Sequence, residues 1–243
     1  MRLLERFHDD ARILRAMARG MPSGGSLRQQ LDAFYAPQAR HYDRFRERLL
    51  HGREALVADI DLPPAATIVD LGGGTGRMIE FFASRIDRIA RYTVVDLCAP
   101  LLDQARQRSR SRPQMTVVHA DAANWQPEQA VDVVVLSYAL SMMPTWRDII
   151  ERARSMLRSG GILAAVDFHV STAATLPPRV CHGWLTRRFW PAWFAHDGVR
   201  LDPQRLDALC EIFPDHALVE AHGPVPYLPL LTVPYYRFLG RAP

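Results

Sequence analysis

The chain has 243 residues, 48% hydrophobic and 23% charged, which suits a single compact domain with one ordinary core and argues against two large ones. Its cysteines, Cys98, Cys181 and Cys210, are too scattered for a disulfide framework or a metal knuckle, so a reducing, cytoplasmic setting is expected and no metal. A net charge of +4 favours acidic partners without separating nucleic acid from anionic lipid, and no stretch reaches the roughly eighteen uncharged apolar residues of a membrane span.

In chain order, Leu3, Leu4, Phe7, Ala11, Leu14 and Met17 recur at helical spacing among Arg2, Arg6, Arg12, Arg15 and Arg19, an amphipathic helix over residues 1–19. Glu5, Asp9 and Asp10 make it unlike a secretory signal. Such a helix either lies at the inner face of a membrane, giving peripheral contact, or packs on the domain or on a second subunit of a homo-oligomer. Pro22, Gly24 and Gly25 break it, so residues 1–26 are read as an extension and 27–243 as the domain proper. A second helical run covers about Leu27 to Ile60, interrupted at Pro37 and closed by Pro63 and Pro64. Strands are then expected at Thr67–Leu71, Tyr92–Leu97, Thr116–Ala120, Val131–Ser137 and Ile162–Val170. Helices are expected between them at Arg77–Arg85, Ala99–Ser109 and Trp146–Leu157, the last stopped by Gly160 and Gly161. This alternation predicts an α/β fold with a parallel sheet covered on both faces, and His216–Ala221 with Val233–Gly240 predict an antiparallel hairpin at its end.

The chemistry lies at the strand ends. Asp70-Leu71-Gly72-Gly73-Gly74-Thr75-Gly76 follows an apolar strand and opens a helix, so its glycines allow a tight turn and close approach of a nucleotide-like ligand. Arg77 stands where a dinucleotide fingerprint needs its third glycine, and no Gly-Lys-Ser or Gly-Lys-Thr follows for a phosphate loop. Asp96 ends the next strand about twenty residues on, placed to accept from both hydroxyls of a ribose, and Asp121 follows a third strand. A loop aspartate is commonly just solvated, but a series of Asp70, Asp96 and Asp121 at successive strand ends predicts one cofactor site.

From Val69 to Val170 the sequence resembles the class I S-adenosylmethionine-dependent methyltransferases. The resemblance implies a Rossmann-like seven-stranded, mostly parallel sheet with an antiparallel C-terminal strand and helices on both faces. It implies S-adenosyl-L-methionine as cofactor and S-adenosyl-L-homocysteine as product. Gly72, Gly73, Gly74 and Gly76 would border the methionine part, with Asp70 near its amino group. Asp96 would take the ribose diol, Leu97 the adenine face, and Asp121 with Ala122 the adenine edge, while Ser137 and Tyr138 would line the floor beside the sulfonium.

A narrower resemblance runs from Phe34 onward. The segments Phe34–Gln38, Leu49–Glu54, Ser137–Pro144, Val166–Ser171, Arg188–Phe194, Pro226–Pro229 and Pro234–Gly240 are similar to the N-methyltransferases of betaine-lipid synthesis. This implies addition of up to three methyl groups to the amino group of diacylglycerylhomoserine.

In-line transfer from a sulfonium mainly needs alignment and exclusion of water, and an amine must first lose its proton. Asp167 and His169 are the base candidates beside Tyr138, each with a structural role as the alternative. A quaternary product favours aromatic walls, for which Phe168, Trp190, Tyr227, Tyr235 and Tyr236 are candidates, although most aromatics are simply core. Arg188, like Arg187 and Arg237, could face the homoserine carboxylate. Tyr35, Tyr42 and Arg53 could close over the cofactor as an N-terminal lid, Arg53 near its carboxylate. Two other readings remain: a methyltransferase for a soluble amine or hydroxyl metabolite, and a noncatalytic cofactor- or nucleic-acid-binding protein. Nucleic acid ranks lowest, because no arginine stripe accompanies an RNA motif.

Overall fold

In the computed structural model, which describes residues 19–226 and 228–243, seven strands form one sheet in the order β3-β2-β1-β4-β5-β7-β6. The strands are β1 Ala66–Leu71, β2 Ile89–Asp96, β3 Met115–His119, β4 Val131–Ser137, β5 Leu157–Phe168, β6 His216–Val225 and β7 Leu228–Arg241. β1 to β5 pair in parallel, and β7 runs antiparallel between β5 and β6. The expected Rossmann-like sheet and its C-terminal hairpin are both present. The amphipathic pattern before Arg19, and Tyr227, lie outside the described residues.

Period-two alternation sends neighbouring strand residues to opposite faces. Val69, Leu71, Val134, Leu136, Leu163 and Ala165 pack on one side with helices α5 (Trp146–Met156) and α7 (Gln204–Ile212). Ile68, Val94, Val133, Val135, Ala164 and Val166 pack on the other with α3 (Arg53–Asp59), α4 (Ala99–Ser109) and the 3₁₀ segment Arg77–Arg88. Because both faces are covered, these strands read as unbroken apolar runs in the sequence.

The expected N-terminal helical run divides into α1 (Leu27–Tyr35), a 3₁₀ turn at Ala39–His41, α2 (Tyr42–Arg46) and α3. Ser26 starts α1 with a capping box, accepting from Gln29 N while the Gln29 side chain returns to the Ser26 backbone. Residues 77–85 were expected to be an α-helix. They form 3₁₀ structure instead, kinked at Arg85 (φ −130°), whose guanidinium bonds the Ile60 and Val57 carbonyls at the end of α3. Gly160 and Gly161 do not stop a helix but lie within β5, where the register jumps between Val131–Leu157 and Val133–Ile162. One element absent from the sequence reading is α6 (Trp184–Ala195), built from the aromatic tail.

Candidate cofactor site

The chain crosses from the outward-running β1-β2-β3 to β4 on the other side of β1, and this reversal opens a crevice at the strand C-termini. The glycine loop leaves β1 there. Gly72 has φ +67°, and a Cβ on it would lie 2.8 Å from Ala139 Cβ and from Met143 Cε, so any side chain meets both strain and a wall. A Cβ on Gly73 would lie 2.6 Å from Asp70 Oδ2, which places that carboxylate directly beneath the loop.

One cavity fills the crevice. It is lined by Gly72, Gly73, Gly74, Asp96, Leu97, Asp121, Ala122, Ser137 and Tyr138 from the sheet, and by Tyr42 and Arg53 from above. These expected cofactor residues converge from segments far apart in sequence. Asp96 Oδ2 accepts from Gly74 N at 2.8 Å and Oδ1 from Cys98 N at 2.7 Å, which fixes the carboxylate while leaving each oxygen lone pairs for a diol. Burial raises the Asp96 pKa, opposed by bonds from Cys98, Gly74 and Leu97 N–H groups. Asp121 caps its own turn, accepting from Ala123 N at 2.9 Å, and also lines the cavity. Gly76 and Asp70 do not line the cavity. Gly76 starts the 3₁₀ segment with φ +67°. Asp70 is wholly buried, accepts from Tyr92 OH at 2.9 Å, and has Oδ1 with no hydrogen-bond partner. Burial pushes its pKa up to about 7 against the lowering effect of the Tyr92 bond.

The roof comes from the N-terminal helices. Asp43 accepts from Thr75 Oγ1 at 2.6 Å and from Arg108 Nη2 at 2.7 Å, clamping α2 to the glycine loop. Asp32 accepts from Ala99 N at 2.9 Å and ties α1 to the start of α4. Arg53 is buried, bonds the Leu50 carbonyl at 3.2 Å and lies 5.2 Å over the Phe81 ring. Burial lowers its pKa, countered by Tyr42, Tyr138, Asp43 and Glu47. Asp43, Asp32, Thr75, Leu31, Met142 and Met143 were not expected at the site; Asp43 stands beside Tyr42, Thr75 within the glycine loop and the two methionines within Ser137–Pro144, while Asp32 and Leu31 carried no local signal.

The residues expected around the acceptor are placed differently. Tyr138 lines the cavity with φ +54°, a costly conformation for a non-glycine residue. Its hydroxyl donates to the His51 carbonyl at 2.7 Å, and burial raises its pKa well above the ordinary value, so it forms wall rather than base. Asp167 lies outside the cavity. It accepts from Ser141 N at 2.9 Å and Phe168 N at 2.8 Å, with burial raising its pKa and the Arg205 guanidinium lowering it. His169 is also outside, with Glu220 Oε1 at 3.6 Å and Arg179 Nη2 at 3.4 Å. Burial and the Arg179 charge lower its pKa to about 3. Asp167 thus ties the end of β5 to the segment at Ser141, and His169 ties it to Glu220 of β6, both away from the cavity lining.

Phe168 is a second layer behind Tyr138, with ring centroids 4.6 Å apart, and stacks on Phe194 at 4.4 Å. Trp190 is core, Tyr236 is buried against His169, and Tyr235 lies beside His51. Arg188 faces outward on α6, and Arg237 pairs with Asp59. No aromatic box therefore encloses a headgroup among the described residues; the aromatics form a wall behind one tyrosine.

The His169 geometry makes a test. Its folded pKa of about 3 lies below the 6.5 of a free histidine, so the unfolded chain binds the extra proton between these values. Stability should therefore be full above about pH 6.5 and fall as the pH drops toward 3. His169→Asn should flatten that acid limb in urea titrations without removing an ionisation from the pH–rate profile of transfer. Loss of a rate pKa near neutrality would restore the base role.

The fold is that of the Rossmann-like methyltransferases. Residues 68–161 match the family model for a methyltransferase domain. A trans-aconitate 2-methyltransferase of Variovorax paradoxus (strain S110) is 34% identical over 124 residues, 51% of this chain and 46% of the relative. The chain spans about half the length of the curated relatives it matches. The N-methyltransferase NodS from Bradyrhizobium japonicum WM9, in complex with S-adenosyl-L-homocysteine, superposes with TM-score 0.61 and 16% identity over 90% of this chain and 100% of that one. The cyclase SpnF superposes with TM-score 0.65 and 15% identity over 92% and 98%. Both likenesses concern the fold alone; a methyltransferase and a cyclase share it.

Proposed function

We propose that the chain transfers the methyl group of S-adenosylmethionine to a small polar acceptor bearing a carboxylate, an amine or a hydroxyl. The observation that carries this reading is the convergence of the glycine loop, Asp96, Asp121 and Tyr138 on one roofed cavity. The residues suit the cofactor: Asp96 has lone pairs free for a ribose, Arg53 offers a buried guanidinium to a carboxylate, and the Asp70 carboxylate buried beneath the loop offers a counter-charge to an ammonium group held above it. When bound, the cofactor supplies an electrophilic methyl group. Tyr138 fixes the floor, while Tyr35, Tyr42 and the Asp43 clamp exclude water above it. With the Tyr138 hydroxyl committed to His51, the site works by positioning and dehydration, and a dry pocket itself favours the neutral amine. The name carried by the curated relatives supports a small-metabolite acceptor better than a lipid.

A second reading, N-methylation of diacylglycerylhomoserine up to the betaine lipid, is favoured by one observation. The similar segments Arg188–Phe194 and Pro234–Gly240 meet in the structure, and Phe194, Phe168 and Tyr138 form a stacked aromatic wall suited to a quaternary ammonium group. The two readings separate by mass spectrometry after incubation with S-adenosylmethionine and, in parallel, trans-aconitate, soluble amines or micellar diacylglycerylhomoserine. A gain of mass on a soluble acceptor is the expected result. Stepwise methylation of the lipid alone would replace it with the second reading. Calorimetric cofactor binding with no transfer to any acceptor would discard both and leave a binding protein.

A further inference from the structure

Helix α6 has two unlike faces. Trp190 and Phe194 turn inward, packed with Phe168, Val170, Leu49 and Leu50. Outward stand Trp184, Leu185, Phe189 and Trp193, 66%, 72%, 40% and 44% exposed, on the other side of the same helix. Water rarely meets so much contiguous aromatic and aliphatic surface on one short helix of a soluble domain. The polar residues of α6 include Arg187 and Arg188, and no acidic residue occurs from Trp184 to Ala195.

A second element shares this end of the molecule. Val225 and Leu231, at the tip of the β6–β7 hairpin, pack against the same cluster as the inner face of α6. Beside them Leu228 is 41% exposed and Leu230 is 99% exposed. A leucine held out at a hairpin tip gains nothing in water, because its side chain is left hydrated.

We propose that the outer face of α6 and the tip of the β6–β7 hairpin together form a docking surface for an anionic lipid bilayer. Tryptophan and phenylalanine suit the headgroup boundary, Leu185 and Leu230 reach among the acyl chains, and the exposed Arg188 faces phosphate groups. A protein partner would need matching acidic side chains and a fixed shape. A bilayer needs only the pairing of apolar reach with positive charge, which is what these elements present. The inner face of α6 backs the Phe168–Tyr138 wall, so docking there brings the cavity wall within one helix thickness of the lipid boundary. The surface stands independently of the acceptor, although a lipid-borne acceptor would profit from it.

The test uses the full chain and vesicles that contain no acceptor, so it is separate from any assay of transfer. Co-sedimentation with phosphatidylcholine vesicles should be weak, and inclusion of phosphatidylglycerol should raise binding in a salt-sensitive manner. Leu230→Ser and Leu185→Ser change side chains that touch little of the fold. Each should weaken binding by roughly tenfold, with circular dichroism and cofactor binding unchanged. Brominated lipid should quench tryptophan fluorescence, and Trp184→Phe with Trp193→Phe should remove most of that quenching. Absence of vesicle binding would overturn the proposal. So would binding equal to wild type in both leucine variants, or a self-association in sedimentation velocity that both variants abolish, which would assign the surface to a second copy.

Discussion

Asp96→Ala should weaken S-adenosylmethionine binding by about a hundredfold or more, since bonds to a charged carboxylate contribute roughly 1.5–3 kcal/mol each. The side chain holds Gly74 N and Cys98 N at 2.8 and 2.7 Å, fixing the cavity edges of both the glycine loop and the start of α4. Alanine removes the acceptor for the ribose and unties both backbone segments that shape its site. Asp96→Asn, with one acceptor oxygen and no charge, should fall between the two. Isothermal titration calorimetry reads the effect directly, and circular dichroism separates it from unfolding. An affinity within a few-fold of wild type for the alanine variant would remove Asp96 from the cofactor site.

Asp70→Asn should move stability and binding in opposite directions. In the folded protein burial lifts the Asp70 pKa from 3.8 to about 7, so the native state holds its proton more tightly than the unfolded chain. The resulting stability is full below about pH 4 and is lost as the pH rises through about 7. Such a displacement corresponds to about 4 kcal/mol at most above pH 7. Asparagine keeps an acceptor for Tyr92 OH without the buried charge, so the ligand-free variant should melt several degrees higher than wild type at pH 8. Its cofactor affinity should fall by about tenfold or more, because an ammonium group held over the glycine loop loses the counter-charge buried beneath that loop. Wild-type affinity should strengthen as the pH rises through 7, and the variant should lose that dependence. Unchanged affinity at every pH would make Asp70 a purely structural residue.

Much of the sheet was legible because each strand announces itself locally. Val131–Ser137 was expected and observed with identical bounds, and α4 likewise over Ala99–Ser109, since an apolar run and a Pro-started helix are decided within about ten residues. Asp96, Asp121 and the glycine loop were legible for a related reason: they terminate those same strands. The roof was only half legible. Tyr42 and Arg53 were expected, but Asp43 and Asp32 carry the clamps, and their partners Thr75, Arg108 and Ala99 lie 32 to 67 residues away.

The aromatic tail shows where local pattern ends. Five candidate rings in the sequence suggested a box, yet the facing directions of Trp190, Phe194, Trp184 and Trp193 follow from α6, which the pattern did not reveal because apolar residues surround it on nearly all sides. His169 and Asp167 misled for the same reason: a strand end near a cavity does not say which face the side chain takes, and here Ser141, Glu220 and Arg179 claim them.

By itself the sequence determined the alternating α/β fold, the glycine loop and the acidic residues at the strand ends, because these depend on periodicity and on backbone freedom at neighbouring positions. Only the tertiary structure decided which carboxylates face the cavity, which clamp the roof and which aromatic face meets solvent. Those outcomes depend on burial and on partners dozens of residues apart, and no local window of sequence contains them.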